Sequence, residues 1–308
     1  MIVTVLGAAG FMGLNLSLAL AKAGHSVRCF DKTAGSAASL GGRYKNINFF
    51  GGDFFSRDDL ARVLEGCDVC FHLISTSVPV TSNANPAKDA QENIIGTLQM
   101  LDAAVAAGVK KIIFPSSGGA IYGKTHTPMI SESHPTAPCS AYGIAKLAIE
   151  NYLRLYHDLY NLDYFALRIA NPYGPFQRLE SHQGIIGVFL GCALKGRPLS
   201  VWGDGSVVRD YIFVEDLIQA FLAALRRTAP EKVLNIGSGA GLSINGLIES
   251  LRRVTGIPLA VNYCAASKQE IPYSVLDISH AQEVLDWAPS TSFEEGLHKT
   301  WQWVRAHS

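Results

Sequence analysis

Ile2-Val3-Thr4-Val5-Leu6-Gly7-Ala8-Ala9-Gly10-Phe11-Met12-Gly13 opens the chain, and its reading decides the fold. Ile2 to Leu6 is a short apolar, β-branched run, the pattern of a buried strand. Gly7, Gly10 and Gly13 lead into an apolar helix, predicted over 14–23 and stopped at Gly24. Glycine is needed where the turn is tight, where backbone approaches a pyrophosphate and where helix packs on strand. The helix N-terminus offers free N–H groups and a partial positive charge to the phosphates. A second strand, predicted over 26–30, ends in Asp31, eighteen residues beyond Gly13. A carboxylate there accepts hydrogen bonds from a ribose 2′-hydroxyl and repels a 2′-phosphate, so it favours NAD over NADP. Lys32 beside it works in the opposite sense.

Strand and helix patterns then alternate. Strands are predicted over 48–51, 68–74, 111–115 and 164–169, and helices over 58–64, 87–107 and 140–160. Such alternation demands a parallel, doubly wound α/β sheet. Ligands of such sheets bind at the carboxyl ends of the strands. The small, polar exit 75–80 is suited to pass over the nicotinamide half of a cofactor, and Ser116-Ser117-Gly118-Gly119 leaves the next strand at the same edge. Beyond Asn171-Pro172-Tyr173-Gly174-Pro175, which is expected to continue neither strand nor helix, the character changes. The division expected is a nucleotide-binding domain of 1–171 plus about 208–239, and a substrate lobe of about 172–207 plus 240–308.

Tyr142-Gly-Ile-Ala-Lys146 falls on the 140–160 helix, which Ser140 can N-cap. Four residues make about one turn, so phenol and ammonium share a face. An ammonium held there favours phenolate and should lower the tyrosine pKa from about 10 towards neutrality. A tyrosine so tuned can exchange a proton with a sugar hydroxyl near pH 7.

Composition narrows the class. The 308 residues are 48% hydrophobic and 17% charged, enough for a large core. A formal net charge of zero gives no support for nucleic-acid or membrane-surface binding. No segment reaches the roughly 18 unbroken apolar residues of a membrane span. The apolar N-terminus reads as a strand and not as a signal peptide, so a cytoplasmic enzyme is expected. Cys67 and Cys70 form a C-x-x-C at the start of a buried strand without a second such pair or paired histidines, which favours core thiols over a metal or redox site.

The chain resembles the extended short-chain dehydrogenase/reductases of the NAD-dependent nucleotide-sugar epimerase/dehydratase kind, nearest to the UDP-glucose 4-epimerase-like branch. The likeness rests on Gly7-x-x-Gly10-x-x-Gly13, Ser116-Ser117 to Tyr122-Gly123, Tyr142-x-x-x-Lys146, Asn171-Pro172-Tyr173-Gly174-Pro175, Arg209-Asp210-Tyr211, Val214-x-Asp216-Leu217 and Val275-Leu276-Asp277 with Leu285-x-Trp287. It implies that Gly7, Gly10, Phe11, Met12 and Gly13 hold the NAD pyrophosphate, Asp31 the adenosine ribose and Asp53 the adenine, with Phe54, Leu73 and Asn93 completing the cofactor site. It implies Tyr142 as acid/base, Lys146 on the nicotinamide ribose, and Asn171 and Arg209 on the diphosphate of a nucleotide sugar. It also implies a homodimer through helices 87–107 and 140–160, the second with Ile149, Tyr152, Leu153 and Tyr156 at helical spacing.

Two positions depart from the family. A Ser or Thr usually stands four residues before the tyrosine of the Tyr-Gly pair; here that position is Gly118, and the nearest hydroxyl is Ser117. An arginine often stands about five residues before the proline at 272; here Ser267 and Lys268 occupy the region. The Asp-Glu pair of the dehydratases is replaced by Gly119 and Ala120, which argues against elimination of water. Epimerisation at C4 through a 4-keto sugar is the favoured reading. An NAD(P)H-dependent 4-keto reductase, or a catalytically weak NAD-binding regulator, stay as alternatives.

Overall fold

The computed structural model describes residues 1–33, 44–125, 127–181, 183–265 and 271–307. Its strands, in chain order, are β1 (Ile2–Leu6), β2 (Ser26–Asp31), β3 (Ile47–Gly51), β4 (Val69–His72), β5 (Lys111–Ser117), β6 (Asp163–Ile169), β7 (Asn171–Tyr173), β8 (Leu199–Trp202) and β9 (Val208–Phe213). They continue with β10 (Val233–Ile236), β11 (Gly241–Ser243), β12 (Val261–Cys264) and β13 (Tyr273–Ser274). Seven form one parallel sheet in the order β10-β6-β5-β4-β1-β2-β3. The order reverses between β1 and β4, so the switch point opens between Gly7 and Leu73 at the carboxyl edge.

Period-2 alternation sends side chains to two cores. Val3 and Val5 meet Leu16 and Leu20 of the first helix (Phe11–Lys22) and Phe221 of the helix Val214–Arg226. Leu6, Ile112 and Phe114 meet Leu60, Met100 and Leu153 on the other side. β4 is buried at every position, as a central parallel strand must be. A smaller sheet is centred on β9, with β11 antiparallel and β7 and β13 parallel to it; β8 and β12 pair separately. β9 therefore lies in the small sheet, while the helix after it and β10 return to the large one.

Three sequence expectations change. Asn171-Pro172-Tyr173 does form a strand, paired through Asn171↔Tyr211 and Tyr173↔Phe213. β7 is an edge strand with a single partner, a place where a proline is tolerated. The 87–107 helix is not uniform: Pro86–Asp89 passes through a π-helical turn, Ala90–Ile95, into Gly96–Ala106. Finally, Ile149, Leu153 and Tyr156 on the helix Ala141–Tyr160 are buried against the sheet and cannot form an outer seam. On these two stretches the exposed large apolar side chains are Ile95, Ile144, Leu155, Leu159 and Tyr160, from 39% to 62% exposed.

Candidate active site

The glycine loop is built from close approaches. Gly7 has φ +87° and donates its N–H to Phe30 O at 2.9 Å. A Cβ on Gly13 would overlap the Gly7 carbonyl oxygen and come within 2.7 Å of Ala8 Cα. Gly10 begins the helix with no side-chain cap, which leaves the first helical N–H groups without a capping side chain. Asp31, at the end of β2, accepts from Ala9 N–H at 3.0 Å through Oδ2 and from Lys32 N–H at 2.8 Å through Oδ1. Its carboxylate thus borders the loop, where a ribose would follow a pyrophosphate. Phe11 and Met12 are half-buried on the helix face, and Asp53 is exposed beyond β3. The Phe54 side chain turns inward onto His72, with ring centroids 5.3 Å apart. A cradle of backbone donors bounded by a carboxylate fits a dinucleotide.

Leu73 leaves β4 half-buried, and the loop after it is pinned by Asn93. Asn93 Oδ1 accepts from Thr76 N–H at 3.1 Å, and its amide donates to Asp89 Oδ1 at 3.2 Å, an oxygen that also accepts from the Ser77 hydroxyl. Asn93 stands on the π-helical turn, a local widening often found at functional positions. The buried His72 shares its Nε2 with the Thr97 hydroxyl at 2.9 Å. Burial, then the charge of Lys146, pushes its pKa down to about 3, so His72 is neutral.

Ser140 accepts from Gly143 N–H at 3.2 Å and starts the helix that carries Tyr142 and Lys146. The two do share a face, with Lys146 Nζ 5.6 Å from the Tyr142 ring centre. Nζ itself donates to Pro115 O at 2.8 Å and stands 4.4 Å over the Phe114 ring. Burial pushes the Tyr142 phenol up to about 12, opposed by a hydrogen bond from Ser117 and reinforced by the charge of Asp89. The expected depression towards neutrality is therefore absent in the polypeptide alone, because desolvation outweighs every nearby group. Lys146 is pushed down to about 7 by the same burial, which Glu150 opposes.

Gly118 has no room for a side chain: a Cβ would lie 2.5 Å from Leu276 Cδ1. The nearest hydroxyl to the one absent at 118 is that of Ser117, one residue earlier, which acts to lower the phenol pKa against burial. Sequence reading missed a buried network behind it. Arg168 donates to Glu150 Oε2 at 2.8 Å and to Tyr122 Oη at 2.9 Å, and Tyr122 donates to Asn235 Oδ1 at 2.7 Å. One signal was available, since Glu150 extends the 142/146 spacing by another four residues.

Asn171 lies on β7 opposite Tyr211 of β9, and Arg209 stands two residues before that partner on β9. Asn171 donates to Asp210 O at 2.8 Å, and Arg209 to Val208 O at 2.9 Å. Asp210 is a buried staple that accepts from Ser238 N–H at 2.8 Å and Gly239 N–H at 3.2 Å. Asp216 likewise accepts from Ser290 and Thr291 N–H, so both motif acids hold backbone. Cys67 and Cys70 are buried free thiols. Ser267 and Lys268 lie outside the described residues.

Residues 3–237 match the model of the NAD dependent epimerase/dehydratase family. The UDP-glucose 4-epimerase of Mycolicibacterium smegmatis is 34% identical, covering 99% of this chain and 98% of that one. Among solved structures, the UDP-glucose 4-epimerase of Thermotoga maritima with UDP-glucose superposes with TM-score 0.93 at 36% identity, covering 99% of each chain. The UDP-glucose 4-epimerase of Thermus thermophilus in complex with NAD superposes with TM-score 0.92 at 29% identity, covering 100% of each.

Proposed function

Because this chain belongs to the NAD dependent epimerase/dehydratase family, we propose that it inverts C4 of a UDP-sugar through a transient 4-keto intermediate. The observation that carries the reading is the Ser117–Tyr142–Lys146 cluster at the carboxyl edge, beside the glycine cradle. NAD, when bound, supplies the hydride acceptor and a positive ring near the phenol. Tyr142 Oη takes the proton from the sugar C4 hydroxyl and later returns it. Ser117 donates to the phenol oxygen and steadies the phenolate, a preorganised donor of the kind worth a few kcal/mol of barrier. Lys146, fixed by Pro115 O, holds its ammonium beside both the phenol and the ribose position. Asn171 and Arg209 receive the diphosphate at the seam of the two sheets, about which the keto sugar turns over. Asp31 supports NAD over NADP, which disfavours the 4-keto reductase alternative.

The working unit in this reading is a cytoplasmic homodimer. Its seam uses the outward faces carrying Ile95, Ile144, Leu155 and Leu159, which are exposed large apolar side chains. No helix among the described residues is long and apolar enough to cross a membrane.

The decisive assay incubates the purified protein with UDP-glucose, UDP-N-acetylglucosamine and UDP-glucuronate, with no cofactor added, and follows C4 configuration by NMR. Interconversion of one C4 pair is expected. No interconversion of any of these sugars, or turnover in a parallel incubation with a 4-keto nucleotide sugar that consumes added NADPH stoichiometrically, would overturn the reading.

A further inference from the structure

Nothing in the proposed proton transfer uses Glu150 or Arg168, yet both are charged and only 5% and 6% exposed. Their pairing is bidentate: Arg168 Nη2 to Glu150 Oε2 at 2.8 Å and Nε to Oε1 at 3.2 Å. Burying such a pair is costly, and an apolar pair of similar volume often serves stability as well, so its presence invites a positional explanation. The surroundings supply one. Glu150 Oε1 also accepts from the Ser116 hydroxyl, and Ser116 faces Arg168 across the β5–β6 register.

Ser117 is the last residue of β5. It is followed by Gly118 and by Gly119, whose Cβ position is open space. The backbone here is held by Gly118 N–H on Ile169 O at 2.9 Å and by Ile121 N–H on Ser117 O at 3.3 Å, which leaves the direction of the serine side chains to the groups packed around them. On the helix above, Lys146 and Glu150 follow Tyr142 at intervals of four and meet Pro115 O and Ser116, while Ser117, the next residue of β5, acts to lower the Tyr142 pKa against burial. Arg168 extends the frame sideways through Tyr122 to Asn235, whose amide donates to Ile130 O at 2.8 Å and Asp277 O at 3.2 Å. Asp277 follows Leu276, the residue that closes the space at Gly118.

We infer that the Glu150–Arg168 pair is a positioning device that grips Ser116 and thereby sets the Ser117 hydroxyl against the Tyr142 phenol. The inference rests on the epimerase reading for its kinetic test. Glu150→Ala would leave Arg168 charged and unpaired in the core, so loss of folding there would say nothing about position. Ser116→Ala keeps the ion pair whole and cuts only its grip on β5.

The test is a cycle of Ser116→Ala, Ser117→Ala and the double variant in the NAD-loaded protein. Ser116→Ala should lower kcat about tenfold with KM within about twofold, and the double variant should be no slower than Ser117→Ala alone. A wild-type kcat in Ser116→Ala, or losses that multiply in the double variant, would overturn the inference. If the wild type converts no UDP-sugar, the functional reading falls, and a crystal structure of Ser116→Ala decides the positioning separately. Ser117 displaced from the phenol supports it; Ser117 unmoved overturns it.

Discussion

The two halves of the cleft are made differently. The cofactor half, from β1 to β4, is shaped by missing side chains: at Gly7 and Gly13 the backbone itself occupies the space a Cβ would take. The tyrosine half, on β5, β6 and the helix Ala141–Tyr160, is shaped by buried polar side chains, Lys146, Glu150, Arg168, Tyr122 and Asn235. The first half offers fixed dipoles to a ligand that brings its own chemistry. The second must hold a proton donor and its charges in a dry place, and burial there opposes the ionisation the reaction needs. Damage to the first half should cost binding, and damage to the second should cost chemistry.

The largest expected effect is Tyr142→Phe. Turnover should fall at least ~10³-fold, as for loss of an essential acid/base, with bound NAD and melting temperature unchanged. Retention of full activity, measured by NMR on the UDP-sugar, would break both the mechanism and the comparison. Next is Gly13→Val, whose side chain must collide with the Gly7 carbonyl. The protein should emerge without NAD, with affinity in calorimetry down by more than about 100-fold, roughly 3 kcal/mol. Normal NAD binding in this variant would show that the cradle is not where the dinucleotide lies.

Ser117→Ala comes third, with kcat expected to fall about 100-fold and NAD binding unaffected. A wild-type rate would remove Ser117 from the site. Fourth is the pH response of cofactor-free Lys146→Met. Burial pushes Lys146 from 10.5 down to about 7 in the fold. Between those values the unfolded chain binds more protons than the native one, so stability rises with pH from about 7 to 10.5 and is flat below 7, where both states hold the proton. From pH 6 to pH 9 the wild type should gain roughly 2–3 kcal/mol relative to the variant, at 1.36 kcal/mol per pH unit. Denaturant unfolding at both pH values checks this, and parallel responses would refute it. The smallest effect is Gly119→Ala, where a Cβ meets nothing within 4 Å. Stability should stay within about 0.5 kcal/mol of wild type, whereas Gly118→Ala, against Leu276, should be clearly destabilising.

The sequence by itself determined the parallel sheet, the glycine cradle, Asp31 at the end of β2 and the Tyr142/Lys146 helix face. Each depends on neighbours within a turn or a strand, so periodicity and spacing carry the information. Only the tertiary structure decided that position 118 has no room for a side chain, because the obstacle is Leu276, more than 150 residues away. The same holds for which face of the Ala141–Tyr160 helix is buried, and for the Glu150–Arg168–Tyr122–Asn235 network, whose members come from four separate stretches of chain. It decided the protonation of Tyr142 too. Spacing placed an ammonium nearby, but desolvation depends on everything packed around the phenol, and that term is set by the whole fold.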